Sequence, residues 1–240
     1  AIKVRNGTTA IADYAFKNCI GLTSIALPKT IKTIGAGAFS NCHALTSIVI
    51  PKGVTHIERA TFSNCYSLAH VLLPEGLTDI DNAVFQECQS LVSITIPQTV
   101  QQIGDFAFRN CYALTDIHLS EGLTAIGENA FTNCRSLRAI TIPNSVTRIG
   151  PKNKRPLSKS EYIGVFMDCV SLQSVHIGNG LTAISVGDFR GCTSLISVHI
   201  PNSVTTIGEH AFQNCTSLSV MDIPKSVIQI GTGAFEGTAW

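Results

Sequence analysis

FSNCHALTSIVIP, at residues 39–51, is the unit from which this chain is built, because its spaced apolar letters recur from one end to the other. A cysteine returns every 23 residues, apart from one interval of 35, and a phenylalanine stands three residues before each cysteine. The nine cysteines are Cys19, Cys42, Cys65, Cys88, Cys111, Cys134, Cys169, Cys192 and Cys215. Phe235 continues the series as a tenth unit, in which Thr238 replaces the cysteine. Units this short bury a core only by stacking on one another, so the period predicts a solenoid.

Each unit contains a short alternating segment that predicts a β-strand. In the quoted unit Ile48 and Ile50 are expected to point inward and Val49 outward. A proline follows this segment in seven units, where its missing N–H ends strand pairing. Residues 35–42 place Ala38, Phe39 and Cys42 at separations of one, three and four, which predicts a helix of one or two turns.

The sequence therefore predicts a repeat solenoid of the α/β type, formed as a single domain by residues 1–240. We expect a curved stack of about ten 23-residue repeats, with a parallel sheet on the concave face and short helices on the back.

At these positions the chain resembles the BspA-like, or Treponema-type, leucine-rich repeats. Their unit reads Leu-x-x-Ile-x-Ile-Pro-x-x-Val-x-x-Ile-Gly-x-x-Ala-Phe-x-x-Cys, and the likeness covers essentially the whole chain. The chain lacks the asparagine ladder that follows the strand in the commoner leucine-rich pattern. The resemblance implies a surface or secreted adhesion and interaction module of anaerobic, oral, gut or treponemal bacteria, with copies in some parasitic protists.

The composition excludes several classes of function. A formal net charge of +1 gives no basic surface for nucleic acid, and no run of eighteen apolar residues could insert into a membrane. The chain contains no G-x-S-x-G, H-E-x-x-H or Walker motif, so we expect neither an enzyme nor a cofactor. Residues 1–4 predict a strand rather than a signal peptide, so the chain is expected to begin inside a larger protein.

The cysteines are expected to form a ladder of free, buried thiols. All nine occupy one column of the repeat, which makes any pairing arbitrary, and their number is odd. A column also spreads its sulfur atoms along a line, whereas a metal needs ligands that converge on a point, and no C-x-x-C occurs. We therefore predict no metal in the core.

Outward strand positions vary from unit to unit while the core positions repeat, as expected of a shared scaffold that carries a specific binding surface. A protein or other macromolecular partner is therefore expected on the concave face. The candidate binding residues there are Val49, His70, Leu72, Ser93, Thr95, Asp116, His118, His176 and His199. His176 and His199 are expected about 4.8 Å apart on adjacent strands, but no third or fourth metal ligand is obvious, so no metal site is predicted. The alternative is an inert spacer that carries another functional domain.

The 35-residue interval contains a basic insertion at residues 151–162. Its candidate contact residues are Lys152, Lys154, Arg155, Lys159 and Tyr162. Insertions in solenoids project from one face and often carry function, so one interpretation is a contact loop for an acidic partner. The other is a tolerated, solvated loop.

Overall fold

The computed structural model describes residues 2–151 and 163–240, and in these residues each repeat contributes two short strands. The first strands of successive repeats are β1 (Ile2–Lys3), β3 (Ile25–Ala26), β5 (Ser47–Val49), β7 (His70–Leu72), β9 (Ser93–Thr95), β11 (Asp116–His118), β13 (Ala139–Ile142), β15 (Ser174–Ile177), β17 (Ser197–His199) and β19 (Val220–Asp222). The second strands are β2 (Ala10–Ile11), β4 (Thr33–Ile34), β6 (His56–Ile57), β8 (Asp79–Ile80), β10 (Gln102–Ile103), β12 (Ala125–Ile126), β14 (Arg148–Ile149), β16 (Ala183–Ile184), β18 (Thr206–Ile207) and β20 (Gln229–Ile230). The ten pairs confirm the predicted solenoid.

The strands form seven parallel sheets of two to five strands, and wherever neighbouring repeats pair, the partners are offset by one repeat. Ile48 of β5 lies opposite Val71 of β7, and Ile57 of β6 lies opposite Ile80 of β8. The first strands alternate as predicted, since Ile48 is buried and both of its neighbours are exposed. The column that contains Ile57 is buried and belongs to a second ladder of two-residue strands that the sequence did not reveal.

The insertion leaves this register intact. β13 and β15 pair over four residues, from Ala139 opposite Ser174 to Ile142 opposite Ile177, although 35 residues separate the partners. The rings of Phe131 and Phe166 on either side of it are 5.4 Å apart, as in other repeats. The repeats on either side of the insertion therefore stack in the same register as the others.

The core is organised around a single column of phenylalanines. Consecutive rings from Phe16 to Phe235 stack nearly parallel, with centroids 5.2–5.6 Å apart and interplanar angles of 1–21°. The eight rings between these two ends are fully buried. At the end of the column the indole of Trp240 lies 5.1 Å from the Phe235 ring, tilted by 58°.

The short helices predicted on the back are wrong: no helix forms in residues 2–151 or 163–240. Gly37 and Asn41 both have left-handed φ angles, of 57° and 61°, which an α-helix does not tolerate. The N–H groups of Gly37, Phe39 and Asn41 donate instead to carbonyls of the next repeat. The spacing did identify the inward side chains correctly, but a turn rather than a helix presents them.

A polar ladder accompanies this turn. In the quoted unit the residue before the cysteine is Asn41, whose Nδ2 donates to Oδ1 of Asn18 at 2.7 Å, and Asn64 donates to Asn41 at 2.8 Å. Asn133 donates to Asn110 in the same way at 3.0 Å. Asparagine adopts left-handed φ more readily than most residues, so one residue type both closes the turn and links the repeats. The chain thus carries an asparagine ladder before the cysteine rather than after the strand.

Each buried cysteine is tied to the preceding repeat. Its Sγ donates to the carbonyl oxygen of a phenylalanine there, at 3.0–3.3 Å in all eight cases. All nine cysteines are free, as predicted, and only Cys19 is partly exposed. Burial raises the pKa of the Cys42 thiol to about 11 and that of Cys65 to about 12. Because the thiolate is the reactive form, both burial and the raised pKa protect these thiols from thiol reagents.

We therefore expect the native protein at pH 8 to react quickly with a thiol reagent at Cys19 alone. The eight remaining thiols should react only as the chain unfolds, which mass spectrometry of the labelled protein will count. Cys19→Ser provides the control, because it should abolish the fast phase and leave the slow one. Rapid labelling of several thiols without denaturant would contradict the buried ladder.

Beside the insertion, polar side chains replace part of the apolar wall. Asp188 is buried where other repeats have alanine, valine or, once, threonine, and its carboxylate accepts hydrogen bonds from the N–H groups of Ser185 at 2.6 Å and Val165 at 3.3 Å. Buried Asn129 accepts in the same way from the N–H of Gly164 at 3.1 Å. These side chains satisfy backbone N–H groups of Gly164, Val165 and Ser185.

Burial raises the pKa of Asp188 from 3.8 to about 6, against the lowering effect of its two backbone hydrogen bonds. The folded chain therefore holds this proton between pH 4 and 6, where the unfolded chain has lost it, so the associated stability is present below pH 4 and is lost as pH rises through 6. Relative to Asp188→Asn, which does not titrate, the wild-type free energy of unfolding should fall by about 3 kcal/mol over this range. Denaturant unfolding at several pH values tests this, and parallel pH profiles for the two proteins would contradict it.

Candidate functional site

The outward residues of the first strands form one continuous surface, here called the strand face, which corresponds to the predicted concave face. Val49 and Leu72 lie opposite one another on β5 and β7, and they are 61% and 63% exposed. Exposed aliphatic side chains in adjacent positions are unusual in a chain whose core residues are almost completely covered. They form an apolar step on the strand face.

An open groove surrounds this step. It is lined by polar and apolar side chains of three consecutive repeats, namely Ser47, Val49, His70, Leu72, Glu75, Ser93, Thr95 and Pro97. Five of the nine residues predicted from the sequence are therefore brought together here. Asp116 and His118 lie one strand further along, opposite Ser93 and Thr95. The result is an apolar centre with hydrogen-bonding groups around it, the composition typical of a protein-binding surface.

The two remaining histidines form a separate group toward the other end of the strand face. His176 on β15 lies opposite His199 on β17, and Asp222 on β19 lies beside His199. Within residues 2–151 and 163–240, no third potential ligand comes close enough to this pair to complete a metal site. Both histidines are exposed on the strand face.

The predicted contact residues of the insertion, Lys152, Lys154, Arg155, Lys159 and Tyr162, lie outside the described residues. The two residues that border this segment, Pro151 and Ile163, both line an apolar groove beside β14 and β16. The contact-loop interpretation therefore stays a prediction.

A second polar cluster, which was not predicted from the sequence, lies on the ladder of second strands. His56 and Glu58 flank buried Ile57, and Asp79 and Asp81 flank buried Ile80 in the next repeat. The signal was present in the repeat itself: the position after this isoleucine is glycine in six of the ten repeats, but it is acidic in two adjacent ones.

This geometry defines the chain as a parallel β-solenoid that presents a non-repeating surface, an architecture suited to binding macromolecules. Six copies of the BspA type leucine-rich repeat region match residues 1–97, 78–153 and 160–239. The chain belongs to this family, and its leucine-rich repeat fold indicates a protein-interaction module. A comparison with curated proteins gives no match.

Solved structures of several bacterial proteins are similar to the chain. A leucine-rich repeat protein from Bacteroides ovatus is 28% identical with a TM-score of 0.66, and the alignment covers 98% of this chain and 69% of that one. A leucine-rich cell surface protein from Faecalibacterium prausnitzii is 27% identical with a TM-score of 0.52, covering 99% and 76%. The pneumococcal vaccine antigen PcpA, 17% identical with a TM-score of 0.55 and covering 96% and 67%, shares the fold.

Among the described residues, no helix has the length and apolar character needed to span a bilayer.

Proposed function

We propose that the chain is a non-enzymatic binding module of a bacterial surface or secreted protein, and that it holds a macromolecular partner on the strand face. The observation that carries the proposal is the in-register pair of exposed side chains Val49 and Leu72, set in a groove of polar residues. The similarity to a cell surface protein supports the location.

Val49 and Leu72 contribute little to the core, since more than half of each side chain is in solvent, and both leave apolar area in water. A partner that covers these two side chains removes their apolar area from water, which favours binding. His70, in the same groove, adds a group that fixes the partner's register by hydrogen bonding. Leu72 is the proposed anchor because it lies between the β5 and β9 sides of the groove.

Leu72→Asp should weaken binding by about 2 kcal/mol, roughly thirtyfold in Kd, because it places a charge where the partner packs an apolar group. The melting temperature should hardly change, since the side chain is exposed in the free protein. The labelled domain is first screened for binding to purified extracellular proteins and to bacterial and epithelial cells. For each binder found, Kd is then measured for the wild type and for Leu72→Asp.

Val220→Asp is the matched control. Val220 also lies on the strand face and is 62% exposed, but it belongs to β19 at the far end of the stack. It should retain wild-type affinity. Equal loss in the two variants would indicate a general charge effect and would contradict the proposed anchor, and no binder to any probe would favour the inert spacer.

The basic insertion is the second candidate surface. If it binds the partner, neutralising Lys152, Lys154, Arg155 and Lys159 together should lower the affinity, and the loss should shrink as salt concentration rises. Loss of binding in this variant together with normal binding by Leu72→Asp would move the site from the strand face to the insertion.

A further inference from the structure

Four side chains form a compact square on the ladder of second strands, away from the strand face. β6 and β8 pair in parallel, with His56 opposite Asp79 and Ile57 opposite Ile80. Since side chains alternate along a strand, the residues on either side of the buried isoleucines project to the same outer surface. His56 and Glu58 come from one repeat, and Asp79 and Asp81 come from the next.

Glu58 and Asp81 depart from what the scaffold favours at this position. Equivalent positions hold Gly35, Gly104, Gly127, Gly150, Gly208 and Gly231. A Cβ atom built on Gly104 would lie 2.6 Å from the backbone nitrogen of Asn82, so the close approach of neighbouring repeats favours glycine there. Two adjacent acidic substitutions in a glycine column, each two residues beyond a histidine or an aspartate, are not explained by packing.

The donor atoms converge. One donor atom each from His56, Glu58 and Asp81 lie within 4.8 Å of one another. His56 directs Nε2 toward Glu58, 3.9 Å from its Oε2, and Nδ1 toward Asp79, 3.7 Å from its Oδ2. The two ring nitrogens therefore face different carboxylates, the arrangement in which one nitrogen binds a metal while the other is oriented by an acid.

The charge of the cluster favours a cation. Among the described residues, no lysine or arginine nitrogen lies within 4.0 Å of the carboxylates of Glu58, Asp79 or Asp81, and the ion-pair contacts of Glu58 and Asp79 are to His56. Asp79 lies on β8, and Glu58 and Asp81 directly follow β6 and β8. Three carboxylates this close together repel one another, and a divalent ion relieves the repulsion.

We propose that His56, Glu58 and Asp81 bind a divalent first-row transition metal ion such as Zn²⁺, with Asp79 as a positioning residue that orients the imidazole. Zinc ligands lie about 2.0–2.2 Å from the ion, so the donor atoms must approach one another by roughly 1–1.5 Å. Side-chain rotation allows this, because His56 and Glu58 are 41% and 49% exposed. Three protein ligands leave room for water, and the ion joins two consecutive repeats.

The donor set also distinguishes between metals. An imidazole with two carboxylates suits Zn²⁺, Co²⁺ and Mn²⁺, whereas Ca²⁺ and Mg²⁺ prefer oxygen ligands alone. The buried thiols, which zinc would otherwise favour, lie inside the core in the native state. Because they prefer oxygen ligands alone, calcium and magnesium should fail to displace zinc from His56, Glu58 and Asp81.

The test uses the full chain, treated with a chelator and desalted, in calorimetric titration with ZnCl₂. We expect one Zn²⁺ per chain and a higher melting temperature with zinc. His56→Ala and Asp81→Asn should each weaken binding at least tenfold, and Asp79→Asn about tenfold. Bound Co²⁺ should show weak visible bands without the intense sulfur charge-transfer band, which separates this site from the cysteines. For Asp79, ¹⁵N shifts of the zinc-bound His56 ring should report a protonated Nδ1 in the wild type and a changed Nδ1 environment in Asp79→Asn.

His199→Ala is the matched control, since His199 belongs to the histidine pair of the strand face, and it should bind zinc as the wild type does. Far-ultraviolet circular dichroism confirms that each variant is folded, and Glu58→Gln, at an exposed position, provides a second ligand variant. Absence of stoichiometric zinc binding, or undiminished binding in both His56→Ala and Asp81→Asn, would overturn the proposal. Loss of binding in His199→Ala instead would place the ion on the strand face and would overturn it too.

Discussion

The structure depends on one constraint: every repeat must present its phenylalanine at the same height and angle as the repeats before and after it. Rings stacked at 5.2–5.6 Å with nearly parallel planes tolerate little lateral shift, because offset stacking is favourable only over a narrow range of geometries. The parallel strands on either side repeat at about 4.8 Å, close to this spacing. Backbone pairing and side-chain packing therefore impose the same period on the chain.

Polar groups also hold neighbouring repeats in register, through hydrogen bonds between equivalent positions. The thiol of Cys65 donates to the carbonyl of Phe39 one repeat earlier, and the amide of Asn64 donates to the side chain of Asn41. Every such bond joins neighbouring repeats, so the stack stabilises its units mainly through their interfaces. The outward positions are therefore not needed to hold the stack together. As a result, the apolar step at Val49 and Leu72 and the polar cluster around His56 can both lie on this scaffold without disturbing its core.

The sequence predicted the parts of the fold that depend on repeated burial. Phe39, Cys42 and Ile48 recur at fixed intervals, and burial of such positions follows directly from stacking. The helix over residues 35–42 was wrong because a turn with left-handed residues at Gly37 and Asn41 can produce the same inward spacing. The strand at Thr33–Ile34 escaped prediction because two residues are too few to show alternation.

The binding surface was predictable in part. Alternation placed Val49 and Leu72 outward correctly, but their exposure and their shared groove required the register between β5 and β7. The cluster of His56, Glu58 and Asp81 depends on which atoms converge, which residue spacing within one repeat does not give. The break in the glycine column was the only trace of it in the sequence.

Replacing Phe108 with alanine tests the central constraint most directly, since this ring is fully buried in the middle of the column. We predict a loss of about 3–5 kcal/mol in the free energy of unfolding by denaturant, because the substitution leaves a cavity and also removes two ring-stacking contacts. Val92→Ala, at a 43% exposed position in an adjacent repeat, is the control and should cost less than about 1 kcal/mol. A loss below about 1 kcal/mol for Phe108→Ala would show that the phenylalanine column does not hold the stack together.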